Sequence, residues 1–260
     1  MSKIALSGNA NGSGTFTIAS PNSNSDRTLN LPDAAGQIAI YGTNVQTFDA
    51  SGTWTKPATG SMARIQVWGG GGGGSRQATT TTVVGGGGGG YSEITVPLSS
   101  LASTESVTVG AGGVGRTATA GSGTDGGTST FGSLIGASGG VATGTCNGGL
   151  TLTSGLSTPI GMANVGQDDG TINFWQGGAG FHSSETTRAR ISSTFGGGGG
   201  GGVVSSTTSL GGSSTFGGFG ANGSRTTPNN GLAPGGGGGG SNNSVNGGDG
   251  AAGRIVVTVW

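Results

Sequence analysis

Apolar and polar residues alternate in only a few places along this chain. The clearest are Ala63-Arg64-Ile65-Gln66-Val67-Trp68, Tyr91-Ser92-Glu93-Ile94-Thr95-Val96 and Arg254-Ile255-Val256-Val257-Thr258-Val259-Trp260. Successive strand side chains point to opposite faces, so this alternation predicts half-buried β-strands. With the apolar clusters around them, strands are predicted near 47–68, 91–109 and 254–260. They come from distant parts of the sequence and are expected to meet in one small β base, with Trp54, Trp68 and Trp260 in its core. A different texture precedes them. Gly14-Thr15-Phe16-Thr17-Ile18-Ala19 and Thr28-Leu29-Asn30-Leu31-Pro32-Asp33 read as two short strands around a turn-rich segment at 20–24. Residues 1–45 are therefore expected to form a small N-terminal β module, too short to bury a core alone and in need of a partner chain or self-association. Residues 46–260 form the second domain.

Between the predicted strands the alternation gives way to four unbroken glycine runs, 69–74, 85–90, 196–202 and 235–240. Fixing a backbone residue costs about 1–2 kcal/mol, and glycine has no side chain to bury in return. Such runs are either disordered linkers or backbones that must touch other backbones. Strands lead directly into the first run and out of the second, and the runs recur instead of joining two domains once, which favours packing. An ordered glycine run takes the polyproline II conformation, with three residues per turn, a rise of about 3.1 Å and no internal hydrogen bonds. Laid side by side, such rods can bond laterally, and at about 0.5–1.5 kcal/mol net per bond many must form together. The expected fold class is thus mainly β and irregular: a small β base carrying a sandwich of laterally packed polyglycine II helices. Collagen fits poorly, because glycine is 65 of 260 residues without a strict period and prolines number only 7. Ser-Thr-Phe-Gly recurs at 129–132, 193–196 and 214–217, which suggests three equivalent positions where a rod meets an apolar layer.

Composition narrows the chemistry. Charged residues are 8%, the formal net charge is zero and Lys3 and Lys56 are the only lysines, so the basic footprint of a nucleic-acid or acidic-membrane binder is missing. No stretch approaches the length of apolar sequence that spans a bilayer, and Gly8 and Asn9 interrupt the N-terminus before any secretory hydrophobic region. A soluble chain made in the cytoplasm, without membrane insertion, is expected. The lone Cys146 excludes an internal disulfide framework and a cysteine-based zinc site and is expected to be an ordinary small buried or half-buried residue. Neither lysine follows a glycine as a phosphate-cradling loop requires. Asp168, Asp169, Glu185 and the sole histidine, His182, have no spacing that defines a glycosidase or a calcium loop. No enzyme activity, cofactor or metal is expected.

The segments between rods are the candidates for function, at 75–84, 116–124, 145–185, 203–210, 221–234 and 241–246. Phe174, Trp175 and Phe181, with Gln176 and His182 beside them, set large rings among Gly, Ser and Thr, as rigid binding surfaces do. The same rings could instead pack inside their own long loop. Arg76, Arg188, Arg190 and Arg225 offer hydrogen-bonding forks for carboxylates or phosphates. Gln77, Asn229 and Asn230 complete the candidate receptor-binding set.

Several of these stretches resemble a known family. Residues 16–33, ending in Arg27-Thr28-Leu29-Asn30-Leu31-Pro32-Asp33, resemble a segment common in bacteriophage tail-fibre proteins. Phe48-Asp49-Ala50-Ser51-Gly52-Thr53-Trp54-Thr55-Lys56-Pro57, followed by Val67-Trp68 and the first glycine run, resembles the start of the glycine-rich domain at phage fibre tips. Gly247-Gly248-Asp249-Gly250-Ala251-Ala252-Gly253-Arg254 is similar to its close. Such domains are similar to the distal long tail-fibre adhesin of T-even-type phages. The resemblance implies a virion protein at the tail-fibre tip, whose loops bind a bacterial cell-surface receptor, either an outer-membrane protein or a polysaccharide. It also implies other tail-fibre proteins as partners and a homotrimer, the N-terminal segment being more like fibre shaft than like the capping domain of the T-even adhesin. A structural fibre component, an ice- or surface-binding polyglycine II protein and a glycan depolymerase are the alternatives.

Overall fold

The chain divides into two compact units, Met1–Ile40 and Tyr41–Trp260. The computed structural model describes residues 43–79, 81–142, 147–152, 172–173, 175–180 and 192–260. The expected N-terminal module and Cys146 lie outside the described residues.

Two small sheets form the base. The first has the order β1 (Asn44–Phe48), β13 (Arg254–Val259), β3 (Met62–Trp68), β4 (Tyr91–Pro97), with every pairing antiparallel. The second runs β2 (Gly52–Thr55), β5 (Thr104–Thr108), β6 (Ser129–Phe131), β7 (Ile135–Ala137), β8 (Thr151–Leu152), also antiparallel. Two short pairs stand apart: β9 (Ile172–Asn173) lies parallel to β10 (Ser192–Ser193), and β11 (Val203–Val204) makes a hairpin with β12 (Thr207–Thr208). The predicted strand regions thus hold, and Val256 and Gln66 pair across the sheet although they are far apart in sequence.

The alternation read from the sequence decides which residues fill the core. Ala63, Ile65 and Val67 of β3 and Ile255, Val257 and Val259 of β13 all point inward, where they meet Trp54, Val107, Phe131, Ile135 and Ala137 of the second sheet. Trp54 and Phe131 pack edge to face with ring centroids 5.5 Å apart. Each fully buried aliphatic side chain contributes about 1.5–3 kcal/mol relative to exposure. Of the three tryptophans expected in this core, only Trp54 is there. Trp68 falls on an even position of β3 and faces away from it, because a period of two sends it to the outer side of the sheet, and Trp260 directly follows β13, half-buried and outside the core.

β3 continues without a turn into the first glycine run, and its hydrogen bonds there have a strict order. The N–H groups of Gly69, Gly72 and Ser75 donate to the carbonyls of Gly90, Gly87 and Val84 at 3.0, 2.8 and 3.0 Å. Those of Gly70, Gly73 and Arg76 reach Gly127, Thr124 and Gly121, each at 2.9 Å, and those of Gly71 and Gly74 reach Ala251 and Gly248, both at 2.8 Å. The same neighbour therefore returns at every third residue, which is the period of a three-fold extended helix. Each of these partners runs antiparallel to 69–74. The carbonyls of Gly70, Gly71 and Gly72 accept in turn from Gly140, Gly113 and Gly238 of segments running parallel. Run 69–74 is thus enclosed on all sides by other rods, 84–90, 121–127, 247–251, 110–116, 138–141 and 235–241.

That enclosure explains why the runs must be glycine. A Cβ added to Gly71 would collide with the backbone carbonyl of Gly236, and one on Gly88 with that of Gly197. Both obstacles are main chain and cannot turn aside. Each Cα–H instead faces a neighbour's carbonyl, the weak contact also seen between strands and at helix crossings. At the margins of the array, side chains take over the lateral bonds. Asp249 Oδ1 accepts from the N–H of Gly115 at 2.7 Å, Asp125 Oδ1 from that of Ala142 at 2.7 Å, and Asn222 Oδ1 from that of Gly211 at 2.9 Å.

Candidate functional site

Rods rising from the base turn over at its far end, and the turns are tied to one another. Arg76 forms bridges with Gly121 and Ser241, Ser224 with Ser241, and Val83 with Val203. The loops at 75–84, 116–121, 203–208, 224–229 and 241–246 therefore share one distal face. Two buried side chains lock it. Asn242, fully buried, donates from Nδ2 to the carbonyls of Thr81 at 3.1 Å and Ser205 at 2.9 Å. Arg76, 8% exposed, donates to the carbonyls of Ala118 at 2.8 Å and Ser244 at 3.0 Å.

The predicted binding residues fall in different places. Arg76 lies beneath the distal face and fixes its loops from below. Gln77 and Arg225 are half-buried within that face. Asn229 and Asn230 sit on the outer rod that descends from loop 224–229, where Asn229 Nδ2 donates to the Asn222 carbonyl at 3.1 Å and Asn230 Oδ1 accepts from the Asp249 N–H at 2.8 Å. Trp175 and Gln176 are at the opposite end of the rods, beside the base, since the Trp175 carbonyl accepts from the Tyr91 N–H where β4 begins. Phe174, Phe181, His182, Arg188 and Arg190 lie outside the described residues. Asn242 escaped the sequence reading, although its place directly after a run, in Gly240-Ser241-Asn242, is a signal. Gly74-Ser75-Arg76 and Gly223-Ser224-Arg225 share that pattern.

At the base end, Trp175 belongs to a row of rings. Tyr91 stacks on Trp175 and Phe195 with centroids 5.6 and 5.2 Å apart, Trp175 on Phe195 at 5.0 Å, and Phe195 on Phe216 at 4.9 Å. Trp68 joins it, tilted against Tyr91, and its indole N–H donates to the Phe195 carbonyl at 2.8 Å. Two of the three Ser-Thr-Phe-Gly copies build this row, while the third sends Phe131 into the core. In all three the serine is buried. Ser129 Oγ accepts from the Gly110 N–H, Ser193 Oγ donates to the Gln176 carbonyl, and Ser214 Oγ donates to the Gly196 carbonyl.

Titratable groups converge on the outer face of the first sheet. Arg64 pairs with Glu93 at 2.7 Å, Tyr91 donates its hydroxyl to the same carboxylate, and Gln66 Nε2 donates to the Tyr91 oxygen at 2.8 Å. Desolvation works against the Glu93 anion, but the Arg64 and Tyr91 hydrogen bonds outweigh it and hold the carboxyl below its usual range. Burial, then the bond to Glu93, pushes the Tyr91 phenol well above its ordinary value. These groups bond to one another and brace β3 against β4. Among the described residues no group of three His, Cys, Asp or Glu side chains could hold a metal ion, and no helix is long and apolar enough to cross a membrane.

No match was found among curated proteins. Residues 43–260, which take in both sheets and all the rods described, match the model of the glycine-rich domain, and the chain belongs to that family.

Proposed function

We propose that this chain is a non-enzymatic recognition tip of a bacteriophage tail fibre, which binds a bacterial outer-membrane protein or surface polysaccharide through its distal loops. The observation that carries the reading is the convergence of loops from separate parts of the chain on one face, locked from beneath by Arg76 and Asn242. Loops held at both ends on laterally bonded rods lose less freedom on binding than free loops. Their sequence can also change without disturbing the backbone contacts below. In this reading the unit at Met1–Ile40 continues the fibre, other tail-fibre proteins are its neighbours, and three copies form the tip.

The test is binding of fluorescently labelled protein to cells of candidate hosts and to mutants each lacking one surface protein or polysaccharide. Loss of binding with a single deletion is expected and would name the receptor. The combined variant Gln77→Ala, Arg225→Ala should bind at least tenfold more weakly while unfolding at the same temperature as the parent protein. Full binding by that variant would remove these loops from the recognition surface, and no binding to any host of the parent virus would overturn the adhesin reading itself.

A further inference from the structure

Rod 217–223 lies at the edge of the array, and its surroundings are incomplete. Its N–H groups at Gly218 and Ala221 donate to Pro234 and Gly237, and those at Gly220 and Gly223 to Gly212 and Ser209. Its carbonyls at Gly218 and Ala221 accept from Gly198 and Gly201, and that of Phe219 accepts from Leu232. Four rods therefore flank it, 209–213, 196–201, 234–240 and 229–232, where 69–74 has six. The third N–H direction belongs to Phe219 and Asn222. Among the described residues no acceptor pairs with either of them. The two groups are three residues apart, one turn of the rod, and so point the same way with a spacing of about 9 Å.

An open groove of about 660 Å³ runs over this edge, lined by backbone at Gly212 and Gly220 and by Phe219, Asn222, Asn230 and Leu232 among others, without a charged side chain. Phe219 and Leu232, the large apolar side chains of the lining, are 49% and 59% exposed.

We infer that this groove is a vacant position of the rod array that accepts an extended, uncharged segment of another chain with glycine at every third residue. The occupant's carbonyls would take the Phe219 and Asn222 N–H groups, since a three-residue period in the donor demands the same period in the acceptor. Glycine must face the array because close approach of backbones leaves no room for a Cβ, as at the enclosed glycines. The absence of lining charge selects against charged segments. This inference does not rest on the proposed function: the groove runs along the side of the rods, although Pro228 and Asn229 at the end of loop 224–229 also line it.

The test is titration of the isotopically labelled protein with a single-stranded Pro-Pro-Gly repeat peptide of about twelve residues, which is already in the three-fold extended conformation. Amide shifts are expected at Phe219 and Asn222, with those of the enclosed run 69–74 unmoved. Phe219→Pro removes one N–H that makes no internal bond and fits the extended backbone, so it should keep the fold and weaken binding at least tenfold. Phe219→Ala retains the N–H and should lose only a few-fold. A Pro-Pro-Ala repeat should not bind. Absence of binding, equal binding by the Pro-Pro-Ala peptide, or undiminished binding by a folded Phe219→Pro protein would each overturn the inference.

Discussion

The base and the rod array solve the same problem by opposite means. In the base, Ile65, Val67, Ile255 and Val257 remove apolar side chains from water, and the backbone bonds of the sheets are a by-product of aligning them. In the array nearly nothing is removed from water except backbone, and the bonds between main chains are the structure. A core of side chains tolerates repacking, whereas a lattice of main chains has no part that can yield. The base is therefore graded in its response to mutation, and the array should be close to all-or-none.

Substitutions inside the lattice provide the severest test of that difference. Gly71→Val or Gly88→Val sets a branched side chain against fixed carbonyls, and no folded protein is expected, as read by the loss of dispersed amide signals. Should either variant fold with a melting temperature near the parent's, the lattice would be softer than its geometry says. Next comes the base, where Ile65→Ala should destabilise by about 2–5 kcal/mol and Trp54→Ala by about 3–5 kcal/mol in denaturant titrations, with the protein still folded. A smaller loss is expected on the distal face. Asn242→Ala leaves the Thr81 and Ser205 carbonyls without their donor, which costs about 1–3 kcal/mol, and hydrogen exchange should accelerate in loops 75–84 and 203–208 while the rods stay protected.

The mildest effect is that of pH on the brace between β3 and β4. The Glu93 pKa is lowered on folding, so its contribution is present above the ordinary carboxylate value and is lost as pH falls through the folded one. Tyr91 runs the other way: the unfolded chain gives up the phenolic proton near pH 10 while the folded chain keeps it, so stability falls as pH rises beyond that point. Glu93→Gln should flatten the acid limb of a melting-temperature profile and Tyr91→Phe the alkaline limb, with the rod array unaffected by either change.

Much of this division can be read from the residues alone. Period-two alternation fixes which faces of β3 and β13 are buried, and unbroken glycine has few ordered uses other than lateral packing. The misplacement of Trp68 and Trp260 has a simple origin, since large aromatics suggest a core while strand parity sends Trp68 outward and Trp260 directly follows the end of β13. The sequence does not reveal which rods are neighbours. A glycine has no side chain that distinguishes one partner from another, so nothing in 69–74 names 121–127 or 247–251 as its neighbour. Gln77 and Arg225 stand out in the sequence as polar residues of the segments between rods, and both lie half-buried in the distal face. The role of a side chain that acts on the backbone of distant loops is not legible: Arg76 reads as a fork for carboxylates or phosphates, yet it donates to the Ala118 and Ser244 carbonyls, as Asn242 does to those of Thr81 and Ser205.

The same anonymity sets a problem of alignment. Two glycine rods that slide past one another by three residues recover all of their lateral bonds, so the lattice on its own behaves like a ruler with identical marks and no zero. The zero must be written at the ends. At the base it is the buried serine and the phenylalanine of Ser-Thr-Phe-Gly, and at the tip the serine followed by Arg76, Arg225 or Asn242. Rod 217–223 is labelled at both ends, 69–74 and 235–240 at the tip and 196–202 at the base, and shortening or lengthening a run by one full turn together with its partners should move the whole distal face by about 9 Å without changing its layout.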